Sequence, residues 1–207
     1  MLLHTIEDGV RTLSQGGVLL YPTETYFAMG CRISDEAAIT RVFQLKKRLF
    51  AMPLPVIIAD TEQLYKVAQL SVNIQVGVQK LIEAFWPGPL TLVVPAKTHI
   101  SALLSGGTGN IALRVSLHPV ARQLSKLLDE PIVSSSANIS GQVPVANVDD
   151  LHPDLVKKAD VLNLPPVPQG GLPSTLVEPL DSYQIKIHRP GVITEAALIS
   201  AGFVISK

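Results

Sequence analysis

Apolar residues recur at helical spacing over 5–15, where Ile6, Val10 and Leu13 share one face. Gly16-Gly17 stops that helix. VLLYP follows as a short buried strand ending at Pro22. SDEAAITRVFQLKK predicts a second helix, with Ser34 as its cap and Asp35 and Glu36 in its first turn. Ile39, Val42, Phe43 and Leu45 form its inner stripe, and it ends near Lys46. PLPVIIA reads as a strand whose prolines suggest an edge or a bulge. Residues 62–69 and 73–85 read as helices, up to a break at WPGP. LTLVVPA and IALRVS are strands, HPVARQLSKLLD is a helix with Pro119 in its first turn, and PIVSS is a strand. From 142 to 175 the chain is loop-rich, and PPVPQGGLPS is a Pro/Gly loop. STLVEPL and YQIKIHRPG then predict two late strands, and 194–200 a terminal helix.

Strands and helices alternate, but several strands can pair as hairpins. The fold class is therefore α/β, a mixed β-sheet with flanking helices. The 207 residues fit one domain spanning 1–207. An apolar share of 47% against 16% charged predicts a packed core rather than disorder. Lys plus Arg and Asp plus Glu are equal at 17 each, so no global basic field draws the chain to nucleic acid, and an anion must be held by a local cluster. The single cysteine, Cys31, excludes an internal disulfide. Without a signal peptide a reducing cytoplasm is expected. No run approaches the ~20 apolar residues of a membrane span, so no membrane association is expected.

Several chemistries are missing. There is no P-loop, no G-x-G-x-x-G and no G-x-S-x-G elbow. SGGTGN is a loop without lysine or helix, and five scattered histidines with one cysteine predict no metal site. What remains is a set of polar residues at strand ends. In LKKRLF, Lys46 and Arg48 point to one place if the chain there is extended, or form a solvated helix end. Arg114 lies in an apolar strand, on the face of Ala112 and Ser116, and is either an exposed edge residue or paired with a carboxylate or phosphate. Thr23, Glu24 and Thr25 follow a strand, a place for a ligand or for a plain turn. Ser174 and Thr175 repeat that pattern, and Arg189 precedes a Pro-Gly turn. PIVSSSANISG runs from an apolar strand start into serines and Asn138, which either cap a helix or hold something polar.

GGVLLYPTETYFAMGC, LKKR with PLPVIIA, FWPGPLTLVV, IALRVSLHPVA, PIVSSSANISG, PSTLVE and HRPG stand in the order that resembles the YrdC-like family, over residues ~5 to ~195. The most specific elements are Lys-x-Arg (Lys46, Arg48), Ser-x-Asn (Ser136, Asn138) and WPGPLT. The resemblance implies a twisted mixed sheet around a concave, positively lined cavity. It also implies L-threonylcarbamoyladenylate synthase activity, in which L-threonine, bicarbonate and ATP, with Mg2+, give threonylcarbamoyl-AMP and pyrophosphate. The group would then pass to adenosine 37 of ANN-reading tRNAs through other proteins of the threonylcarbamoyladenosine (t6A) pathway. By the same resemblance Lys46 and Arg48 are catalytic and hold ATP together with Asn138 and Arg189, while Thr25, Arg114, Ser136 and Ser174 hold threonine. The chain is similar to the short, single-domain type. It departs from the family at Leu49 and Met52, where Pro and Asn or Lys are usual, at Ile57, often His, and at Ala146, often Thr or Ser. The alternatives are a YciO-like paralogue and a double-stranded RNA-binding module.

Overall fold

A computed structural model describes residues 1–206. In chain order its elements are β1 (Leu2–Leu3), α1 (Ile6–Ser14), β2 (Leu19–Pro22), β3 (Phe27–Gly30), α2 (Glu36–Lys46), β4 (Val56–Ile58), α3 (Thr61–Val67), α4 (Val72–Phe85), β5 (Leu90–Pro95) and α5 (Ala102–Ser105). They continue with β6 (Asn110–Val115), α6 (Pro119–Leu128), β7 (Ile132–Val133), β8 (Ser135–Ser136), a 3-10 turn at Val148–Asp150, α7 (Pro153–Val156), β9 (Asp160–Leu162), β10 (Thr175–Pro179), β11 (Gln184–Arg189), α8 (Glu195–Ser200) and β12 (Val204–Ser206).

The expected α/β class holds, but among the described residues the strands form two sheets rather than one. Their orders are β1-β9-β2-β3-β8 and β12-β11-β10-β5-β6-β4-β7. Both are mixed. In the larger, β5 runs antiparallel to β6, and β6 parallel to β4. The switch between sheets falls inside PIVSSS. Ile132 and Val133 pair with β4, Ser135 and Ser136 pair with β3, and Ser134 lies between, its N–H donating to the Pro55 carbonyl at 2.7 Å. The single strand expected over PIVSS is thus two. Gly30 permits the crossing, because a Cβ there would stand 1.8 Å from the Val133 carbonyl oxygen.

Other boundaries also shift. Asp35, not Ser34, caps α2, its Oδ1 accepting from Ala38 N at 2.8 Å, while the Ser34 hydroxyl donates to Glu130. β4 is an interior strand between β6 and β7, and Pro53 and Pro55 precede it without interrupting its ladder. The loop-rich span 142–175 supplies the 3-10 turn, α7 and β9, and β9 lies inside the smaller sheet between β1 and β2. The main core joins inward faces of both sheets with α2 and α4, through Leu20, Phe27, Phe43, Ile58, Leu81, Leu92 and Leu113. A smaller cluster, with Leu13, Tyr21, Ile57 and Leu124, seals α1 and α6 against the sheets. Burying one such Leu or Phe side chain contributes about 1.5–3 kcal/mol. Among the described residues no helix is long and apolar enough to cross a membrane.

Candidate active site

Thr23–Tyr26 turn the chain from β2 back into β3, so the polar trio sits at a hairpin tip rather than at a strand-to-helix crossing. Thr23 Oγ1 donates to the Tyr26 carbonyl at 2.7 Å, and the Thr23 and Thr25 hydroxyls are 3.3 Å apart. A strap from the Pro/Gly loop braces this tip. Gln169 N donates to the Glu24 carbonyl at 3.2 Å, Gly170 N donates to the Thr25 carbonyl at 2.7 Å, and Tyr26 Oη donates to the Gly171 carbonyl. Gly170 and Gly171 have φ of 71° and 84°, a conformation that favours glycine.

Lys46 and Arg48 part company at the end of α2. Lys47 adopts the left-handed region (φ 52°), and Arg48 N closes back on the Phe43 carbonyl at 3.0 Å, so the stretch is a helix cap and not extended chain. Lys46 turns inward and is 1% exposed. Its Nζ donates to the Asn138 carbonyl at 2.8 Å and to the Ser136 carbonyl. Burial, and then the Arg48 charge, push its pKa down to about 7. Asn138 Nδ2 donates to the carbonyls of Gln142 (2.6 Å) and Ile139 (3.0 Å), and its buried Oδ1 has no partner among the described residues. Lys46 thus lies behind the Ser-x-Asn segment, and the Asn138 side chain turns to the Ile139 and Gln142 carbonyls rather than into the cleft. Arg48 turns outward, with Nη2 on the Pro53 carbonyl at 2.9 Å.

Arg114 is neither at an edge nor exposed: β6 is interior, and the residue is 7% exposed. Its guanidinium pairs with Glu24, whose other carboxylate oxygen accepts from Ser116 Oγ. Arg189, at the end of β11, donates from Nη2 to the Ser174 carbonyl (2.8 Å) and hydroxyl (3.1 Å), and Ser174 Oγ lies 2.8 Å from Thr91 Oγ1. Arg189 is an exposed residue by surface area, yet its guanidinium end is crowded: burial first, then Arg114 and Arg48, lower its pKa. Arg189 therefore lies in the field of both other guanidinium groups.

Thr25, Arg48, Arg114, Ser136, Ser174 and Arg189 line a cleft of about 250 Å³ between the two sheets; Lys46 and Asn138 do not line it. Thr23, Ser134 and Ser135, which the sequence left open between turn or cap and ligand, also line it, and Thr91 adds a hydroxyl to which the sequence reading gave no role. For Thr91 the signal was present: it alternates with the buried Leu90 and Leu92. An apolar recess of about 210 Å³ adjoins on the same sheet face, lined by Pro53, Val93, Asn110, Ala112, Leu176 and His188. Val93 and Ala112 are cross-strand partners, each two residues from Thr91 and Arg114. Of the departures, Leu49 is 72% exposed and Met52 is also exposed, while Ile57 is buried beside Arg114 in the ladder. A Cβ built on Gly170 of the strap would meet the Ala146 methyl at 3.4 Å, so Ala146 stands next to the strap. Among the described residues no group of three or more His, Cys, Asp or Glu is placed to hold a metal ion.

Three guanidinium groups line the cleft among hydroxyls, with one carboxylate behind Arg114, an arrangement whose donors and charge suit anions and smaller polar molecules. The fold and the cleft define a mixed α/β protein with an arginine- and hydroxyl-lined cleft between its sheets. The Sua5/YciO/YrdC family profile, described as telomere recombination, matches residues 11–191, and the chain belongs to that family. It is 40% identical over 135 residues to a protein of Psychromonas ingrahamii named threonylcarbamoyl-AMP synthase, covering 65% of this chain and 70% of that one. A protein of the same name from Vibrio vulnificus is 35% identical over 161 residues, covering 78% and 86%. The crystal structure of P. abyssi Sua5 complexed with L-threonine superposes with a TM-score of 0.90 at 27% identity. All of this chain is matched, but it spans 62% of that one. E. coli YciO, at 22% identity and a TM-score of 0.76, shares the fold.

Proposed function

We infer that this chain is a threonylcarbamoyl-AMP synthase. It would condense L-threonine, bicarbonate and ATP into threonylcarbamoyl-AMP and pyrophosphate. The observation that carries this reading is the cleft between the sheets, where Arg48, Arg114 and Arg189 converge on hydroxyls from Thr25, Ser136 and Ser174. Relatives with the synthase name, and a neighbour solved with L-threonine, support it.

In this reading Arg48 and Arg189 hold the triphosphate, and Arg114 takes the threonine carboxylate. Thr25, Ser136 and Ser174 hydrogen-bond the amino acid and its carbamate, and the apolar recess takes the base. The threonine amine and bicarbonate give a carbamate with loss of water. A carbamate oxygen forms a bond to the α-phosphorus as the bond to pyrophosphate breaks. Positioning and charge stabilisation do the catalysis, without a covalent nucleophile. Lys46 acts on the same charge from beneath, through the Ser136–Asn138 segment. Magnesium enters with the ATP as part of the substrate, since such ions are held largely by phosphates and water. The reaction is a nucleotidyl transfer. Its product would feed t6A formation on tRNA by other proteins of that pathway, in the cytoplasm.

The test is pyrophosphate release from Mg-ATP and bicarbonate with and without L-threonine. Release that depends on threonine is expected. Release indifferent to threonine, or none at all from folded protein, overturns the reading, and a salt-sensitive RNA gel shift in its place would favour an RNA-binding module.

A further inference from the structure

Glu24 stands at the hairpin tip between β2 and β3. Its side chain is 12% exposed and that of its partner Arg114 is 9% exposed. One carboxylate oxygen accepts from Arg114 Nη1 and the other from Ser116 Oγ, which itself accepts from the His118 backbone N–H at 3.2 Å. The Glu24 carbonyl is held in turn by Gln169 N at 3.2 Å. The carboxylate is thus fixed from several directions, and it lies behind Arg114: Arg114 lines the cleft and Glu24 does not. The other two guanidinium groups donate to uncharged oxygens, of Pro53 for Arg48 and of Ser174 for Arg189.

Charge in the cleft is therefore uneven. Around Arg114 it is compensated; around Arg48 and Arg189 it is net positive. A guanidinium has five N–H donors, and the bond to Glu24 uses one, so Arg114 keeps directed donors for a carboxylate. A zwitterionic amino acid is neutral overall, whereas a polyphosphate seeks net charge, and in a partly desolvated cleft that difference decides where each one settles. Resting on the reading of the cleft as a threonine and ATP site, we propose that Glu24 is a specificity-determining residue. It neutralises Arg114, so that this half of the cleft accepts a zwitterion and does not compete for phosphate. It is a positioning residue for Arg114 and touches neither substrate.

The test titrates inorganic pyrophosphate into the full chain by calorimetry at low salt, with threonine-dependent pyrophosphate release followed on the same preparations. Glu24→Gln should bind pyrophosphate about tenfold tighter or more, because one compensating charge is gone. Its KM for threonine should rise, with pyrophosphate now competing against threonine. Glu24→Asp, which keeps the charge, should stay within about threefold of wild type. A purely structural role would weaken both ligands together, so unchanged or weaker pyrophosphate binding by Glu24→Gln overturns the proposal. If that variant does not fold, Arg114→Gln decides: it leaves Glu24 uncompensated and should weaken pyrophosphate binding, and unchanged affinity overturns the proposal. Wild type that binds pyrophosphate but shows no threonine-dependent release contradicts the synthase reading and leaves the charge comparison at Glu24 readable. Wild type that binds no pyrophosphate overturns both.

Discussion

Binding of ATP should draw a proton onto Lys46. In the free protein, burial and the Arg48 charge hold its pKa at about 7, so at pH 8 roughly one lysine in ten carries the ammonium. Lys46 does not line the cleft, so a phosphate is taken to lie about 6–7 Å away across the Ser136–Asn138 segment; its charge then contributes roughly 2–3 kcal/mol at an effective dielectric near 20, which raises the pKa by about two units. Lys46 is then mostly protonated in the complex, and the uptake at pH 8 is about 0.8 proton per ATP. The sign follows from linkage. The complex binds more protons than the free protein between the two pKa values, so affinity falls as pH rises from about 7 to 9, by somewhat under tenfold per pH unit. Calorimetric titration of ATP at pH 8 in two buffers of different ionisation enthalpy reads the uptake directly. His118, whose pKa burial lowers from its ordinary value, is silent there. Zero uptake on ATP binding, or the same uptake in Lys46→Met, would refute this account of Lys46.

Arg48→Ala and Arg189→Ala each remove a charge-assisted donor worth about 1.5–3 kcal/mol and should weaken ATP binding by roughly ten- to a hundredfold, with circular dichroism unchanged; equal affinities by calorimetry would place the phosphates elsewhere. Asn138→Ala loses the bonds to the Gln142 and Ile139 carbonyls, frees the segment that Lys46 grips, and should weaken ATP binding without unfolding the protein; a wild-type affinity would count against a role for that segment. Gly30→Ala would set a methyl against the Val133 carbonyl where the chain crosses between sheets. It should destabilise by more than about 2 kcal/mol, visible as a lower denaturant midpoint.

The sequence carried the longer elements well, because they have a local signature. Ile6, Val10 and Leu13 mark α1, Pro119 opens α6, and Leu90, Leu92 and Val94 point to the core from β5. The short strands had no such mark. β1 exists because Leu2 pairs with Val161, and β9 because Asp160 and Val161 also pair with Leu19 and Leu20. Strands of two or three residues have no measurable period, and partners so distant in sequence leave no local trace. The split of PIVSSS has the same origin: its apolar half belongs to one sheet and its serines to the other. In the site, the residue types at strand ends were legible, and six of the named residues do line the cleft. The direction each one faces was not. The turn of Lys46 into the interior depends on the left-handed Lys47, and the partner of Arg114 depends on a hairpin tip that comes from the other sheet.

The central claim is tested most directly by the product itself. Protein incubated with Mg-ATP, L-threonine and isotopically labelled bicarbonate should give, by chromatography and mass spectrometry, one labelled species containing threonine, the bicarbonate carbon and AMP, equimolar with pyrophosphate. Pyrophosphate accompanied by AMP alone, with no label in any nucleotide adduct, would contradict it.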